Sequence, residues 1–122
     1  MTLQELYQNI GGNYEQALRV LRMDKLLDKH IRKLVSNGVV DQLIAAGQSM
    51  DPTQLFETAH AVKGVCANLG LVQLSEAASD IAEEYRPGHS RAMTDAEVSK
   101  KLSDIAAMYK RTAEGIREYV EG

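Results

Sequence analysis

TAHAVKGVCANLGL, residues Thr58 to Leu71, lies in a helical pattern that runs from about Pro52 to Asn68. Asp51 suits the N-cap, and Pro52 suits the first helical position, where its missing N–H loses no bond. Leu55, Ala59, Val62, Cys66 and Leu69 recur at i, i+4, i+7, i+11 and i+14, one face of a helix. At roughly 100° per residue, His60 points about 140° away from that face and Gly64 about 180° away. Phe56 and Ala67 flank them, one turn before the histidine and one turn after the glycine. A histidine turned away from the core is either idle or functional. An idle surface does not account for Gly64, which costs roughly 1 kcal/mol in a helix interior relative to Ala. Glycine there clears a path for close approach, and Lys63, at i+3 from His60, brings an ammonium beside any group the imidazole carries. An exposed imidazole, an adjacent cation and an open approach suit the carriage of a phosphoryl group.

Outward from this helix, the chain reads as a series of short amphipathic segments. Thr2 with Glu5 is spaced as a capping box, opening a short helix that ends near Gly11-Gly12. Asn13 with Gln16 repeats the signal for a helix from Tyr14 to about Leu21. Asp24 is expected to cap a third, with Leu27, Ile31, Leu34 and Val35 inward and an end at Asn37-Gly38. These early helices are expected to be short and to lie across one end of a bundle. A fourth helix is predicted from Val39 to Ala46 with Val40, Leu43 and Ile44 inward, Gly47 ending it. Gly70 breaks the central helix, and a return helix runs from about Leu71 to Tyr85 with Leu74, Ala77, Ala78, Ile81 and Tyr85 on one side. Residues 86–91 read as loop. Thr94 with Glu97 opens a final helix to about Val120, whose buried stripe is Val98, Leu102, Ile105, Tyr109, Ala113, Ile116 and Val120. Short connections between such helices argue an all-α fold, an antiparallel up-down four-helix bundle with short additional N-terminal helices, as one domain over residues 1–122.

Composition agrees. Two prolines, no tryptophan and one phenylalanine in 122 residues, with an apolar set rich in alanine and leucine, favour packed helices over a sheet. A formal net charge of −3 offers no basic footprint for nucleic acid or an anionic bilayer. The single cysteine, Cys66, sits on the inward face, excludes an intrachain disulfide and suits a reducing compartment. No secretory leader or membrane-spanning run is evident, so a cytoplasmic chain is expected, with a monomer as the default.

The string Ala59-His60-Ala61-Val62-Lys63-Gly64, followed by Asn68-Leu69-Gly70 and Leu74, resembles the histidine-containing phosphotransfer (HPt) domain. Gly11-Gly12-Asn13-Tyr14 and Glu83-Glu84 extend the likeness to free-standing bacterial members. Members commonly have Leu at the position of Val62 and Ser or Thr at that of Ala61. The resemblance implies that His60 is the phosphoacceptor through Nε2, that Lys63 offsets charge on the phosphoryl oxygens, and that Gly64 gives steric access. Phe56 and Ala67 would supply docking surface. It further implies a phosphoryl carrier without an ATP-binding domain of its own, exchanging with an aspartate on a response-regulator receiver domain or with a histidine kinase. No cofactor would be bound by this chain, and Mg²⁺ would be held by the receiver's carboxylates.

Other readings make different demands. A non-catalytic adaptor with the same fold would bind a receiver or kinase domain whether or not His60 is present. A metal-binding bundle would need His30, His60 and His89 to converge with carboxylates at i, i+3 or i+4 on inward faces. His60 faces outward with only Glu57 at i−3; His30 reads as a surface or boundary residue and His89 as a solvated loop residue.

Overall fold

The structure is a computed structural model that describes residues 1–122. It is all-helical: α1 (Leu3–Ile10), α2 (Tyr14–Leu21), α3 (Asp24–Ser36), α4 (Val39–Ser49), α5 (Pro52–Asn68), α6 (Val72–Glu84) and α7 (Asp95–Glu121). Three helix starts follow their capping residues. Thr2 and Thr94 each form a complete capping box, with Glu5 and Glu97 returning the bond. The Asp51 carboxylate accepts from the Thr53 and Gln54 amides ahead of Pro52. Asn13 makes only half of its expected box. It accepts from the Gln16 amide at 2.9 Å, while the Gln16 side chain turns instead toward the Ala67 carbonyl of α5.

α5 packs against α4 and α6, and α7 packs against α4, α6, α1 and α3. All seven helices contribute to one cluster of buried apolar side chains. The α5–α6 connection is tight, Leu69 to Leu71, and it places Ser75 of α6 beside Lys63 of α5, where the serine hydroxyl donates to the lysine carbonyl at 3.0 Å. The segment between α1 and α2 crosses this turn. The Tyr7 hydroxyl donates to the Leu69 carbonyl at 2.7 Å, and the Asn13 amide donates to the Gly70 carbonyl at 2.8 Å. Gly70 has φ +67°, and a Cβ there would lie 2.2 Å from the Asn13 carbonyl oxygen. No helix is long and apolar enough to cross a membrane.

Several expectations are corrected. Asp24 is the first residue of α3 rather than its cap. Met23 holds the N-cap without a side-chain bond, because the Asp24 carboxylate is taken by the Tyr14 hydroxyl. Gly47 does not end α4, which continues to Ser49 and closes at Met50. Its glycine serves close approach, since a Cβ would meet Leu102 Cδ1 of α7 at 2.6 Å. With 13 residues, α3 equals α6 in length and is not one of the short helices, unlike α1 and α2 with 8 each. Leu71 and Tyr85 are the caps of α6 rather than members of it. Val120 is 44% exposed; Tyr119 turns inward in its place, its hydroxyl donating to Asp28 of α3.

Glu84 ends α6 as a buried carboxylate. It accepts from Arg91 Nε at 2.6 Å and from the Ala92 and Met93 amides. Arg91 lies over the Tyr85 ring at 4.4 Å and reaches Asp95. Together these contacts hold the loop that leads to the Thr94 cap of α7. The Arg91 guanidinium first, and the two amides after it, hold the Glu84 carboxyl below the usual carboxylate range against the opposing effect of burial. The unfolded chain then binds this proton more readily. The contribution is therefore complete above the unfolded pKa and is lost as pH falls through the folded value. Glu84→Gln is expected to lower the melting temperature at pH 7, with the gap from wild type closing as the pH is brought below about 4. Gly70→Ala is expected to destabilise the fold by about 3 kcal/mol in denaturant titration, from left-handed strain and the clash with Asn13.

Candidate functional site

The inward face of α5 is sealed: Leu55, Ala59, Val62 and Cys66 have no exposure and Leu69 only 2%. Burial pushes the Cys66 thiol up to about 12, which leaves it a small core side chain rather than a nucleophile. The opposite face carries His60, Ala61, Gly64 and Asn68, all exposed. The helix period fixes this arrangement, because once the five inward positions are committed, residues four and eight past His60 must share its side.

Phe56 is half-buried and stacks on His60, ring centroids 5.7 Å apart and planes at 23°. The stack narrows the rotamers open to the imidazole and leaves the ring exposed. Lys63 is half-buried, and its ammonium is in none of the chain's ion pairs. It is free to meet an incoming anion. Around Gly64 the space is open, and a Cβ built there would meet nothing within 4 Å. The chain's own packing therefore gives no reason for glycine at this position, in contrast to Gly47 and Gly70. Ala67 closes the strip, half-buried, with its carbonyl facing Gln16 Nε2 of α2 at 3.5 Å.

Phe56, His60, Lys63, Gly64 and Ala67 thus share one strip of α5. His30 and His89 are exposed on α3 and on the loop after α6. No group of three His, Cys, Asp or Glu side chains comes together anywhere in the chain. Two features of the strip went unread in the sequence. The Phe56–His60 stack was available as an i, i+4 aromatic pair. The neighbouring α2 and α3 side chains carried no local signal, since their place beside α5 is set by tertiary packing. Glu83 and Glu84, adjacent in sequence, separate in role: Glu84 is buried with Arg91, and Glu83 stays exposed and pairs with Arg86 at 3.2 Å.

An imidazole on a rigid helix, with one neighbour a stacking ring, one a free cation and one an absent side chain, can offer a ring nitrogen to a group presented by another molecule. It holds no acid–base partner of its own and no enclosing walls. The Hpt domain family model matches residues 3–115 of the chain. No curated protein and no solved structure gives a significant match.

Because Gly64 meets nothing and lies in regular helix, Gly64→Ala is expected to raise stability by about 1 kcal/mol, the helix-propensity difference. Opposite signs for alanine at Gly64 and at Gly70, read as shifts in the denaturant midpoint, check the distinction between a glycine the fold requires and one it does not.

Proposed function

The chain belongs to the Hpt-domain family, and on that premise we propose that it carries a phosphoryl group between His60 and an aspartate of a receiver domain in a two-component phosphorelay. The observation that carries the reading is the open space at Gly64 beside an exposed His60. A residue that costs helix stability and answers no internal contact is accounted for by the approach of a partner.

The neutral imidazole attacks phosphorus through Nε2. The N–P bond forms as the acyl-phosphate P–O bond of the receiver breaks, and the electron pair leaves on the aspartate carboxylate. The reverse step returns the group. Phosphoryl transfer asks little covalent help of the protein and much positioning and charge compensation. The Phe56 stack orients the ring, Lys63 offsets charge on the equatorial oxygens, and Gly64 admits the receiver's loops. Phe56 and Ala67 form the apolar part of the docking surface. Mg²⁺ belongs to the receiver's carboxylates in this scheme, and this chain acts as a carrier that needs no nucleotide. The packing of α4, α5, α6 and α7 supports an up-down antiparallel four-helix bundle, and the single core supports one domain over residues 1–122.

The test is incubation with a phosphorylated receiver domain and Mg²⁺. Acid-labile, base-stable phosphate is expected on the wild type and none on His60→Gln. Lys63→Ala is expected to slow transfer about 3–10-fold, the worth of one exposed cation at a developing charge. Gly64→Gln is expected to slow it more than tenfold while the helical circular-dichroism signal is unchanged. Receiver binding without any label on the wild type would replace transfer by an adaptor role.

A further inference from the structure

The α2–α3 corner, residues 19–33, has a charge opposite to that of the rest of the chain. Arg19, Arg22, Lys25, Lys29, Arg32 and Lys33 are six of the chain's fourteen basic side chains, against Asp24 and Asp28. Six against two leaves +4 here on a chain of net charge −3, so the remainder carries −7. Both acids are engaged, Asp24 by the Tyr14 hydroxyl and Asp28 by Tyr119 and Arg32. All six cations are exposed, and of them only Arg32 is in an ion pair. Elsewhere Arg86, Arg91, Lys100 and Lys101 are paired while Lys63, Lys110, Arg111 and Arg117 are not, so what sets the corner apart is the density of its unpaired cations. The same corner exposes apolar surface: Val20 at 46%, Met23 at 51% and Leu26 at 37% are three of the chain's five exposed large apolar side chains.

This corner adjoins the His60 strip. His30 and Lys33 of α3, with Asn37 at its C-cap, form one wall of a groove of about 300 Å³, and Val65 and Asn68 of α5, with Leu69 at its C-cap, form the other. Asn68 lies about 12 Å along the helix axis from His60. A partner that covers about 800 Å² of this chain, the standard share of an interface, and is centred on His60 reaches the groove.

We propose that the α2–α3 corner is an electrostatic docking element for an acidic face of the receiver-domain partner, separate from the residues that handle the phosphoryl group. Its choice of partner rests on the phosphotransfer reading. The unpaired cations accelerate encounter with an acidic surface, and Val20, Met23 and Leu26 add apolar area once water is expelled. An anionic bilayer would also attract the cations. Three apolar side chains at a helix corner fall well short of an interfacial helix, however, and the −7 elsewhere on so small a molecule opposes the membrane surface.

The experiment uses the full chain carrying Arg22→Glu, Lys29→Glu and Lys33→Glu together, none of which makes a side-chain bond in the fold. Association with a panel of receiver domains is measured at 50 mM and 500 mM salt. Phosphoramidate, a small donor that phosphorylates His60 with release of ammonia and needs no docking surface, is the control. At low salt the triple variant is expected to associate at least tenfold more slowly than wild type and to lose most of the salt dependence, while labelling by phosphoramidate is unchanged. Equal association rates for the two proteins, or no receiver binding at low salt, would overturn the proposal. So would charge-dependent binding of wild type to phosphatidylserine vesicles with none to receivers. Charge-dependent receiver binding by a chain that no donor labels would leave the docking element standing and remove the transfer reading instead.

Discussion

Burial of a single stripe on α5 governs this molecule. Leu55, Ala59, Val62, Cys66 and Leu69 are withdrawn from water, and that commitment sets the rotation of the helix about its axis. Everything chemically distinctive then points the other way. His60 is exposed because turning it inward would drag two or more apolar residues outward, at about 1.5–3 kcal/mol for each large side chain uncovered. The orientation of the imidazole is thus enforced by a hydrophobic core it does not join. The outward face of α5 is made largely from exposed residues, His60, Ala61, Gly64 and Asn68, and Gly64 in particular works against helix stability.

The end of α5 is fixed by a second set of contacts, in which the chain start clasps the turn into α6. Tyr7 donates to the Leu69 carbonyl, Asn13 to the Gly70 carbonyl, and Gly70 has no room for a side chain. This clasp brings α2 alongside the strip at Ala67 and sets α3 across a groove from Asn68. Helices α2 and α3 therefore carry charged surface to the edge of the face that bears the histidine.

Much of this was legible in the sequence where local physics decides. The bounds of α5 followed from Asp51, Pro52 and Gly70. The buried stripes of α5 and α7 followed from periodicity, and the two threonine capping boxes marked helix starts. The misreadings have a common cause. Gly47 was read as a stop signal, but α4 runs past it, and its close neighbour is the Leu102 side chain, fifty-five residues away, which a Cβ would push aside. Asp24 was read as a cap, but Tyr14 claims its carboxylate. Val120 fits the stripe on spacing alone, yet Tyr119 has a partner in Asp28 on α3 and takes the inward position. Glycine and short acidic residues have several uses each, and only the partner across the fold selects among them. The candidate strip was legible because all of it lies on one helix. The cations of residues 19–33 are contiguous in the sequence, but their place beside the strip was not legible, because it needs α2, α3 and α5 brought together.

The most direct test of the central claim is nitrogen NMR of the three histidine side chains, recorded while a phosphorylated receiver domain and Mg²⁺ are added. The account predicts that the Nε2 resonance of His60 alone shifts to that of a phosphorylated imidazole, with His30 and His89 unmoved. Phosphorylation at His30 or His89, or no change at His60 in a fully helical protein, would contradict it.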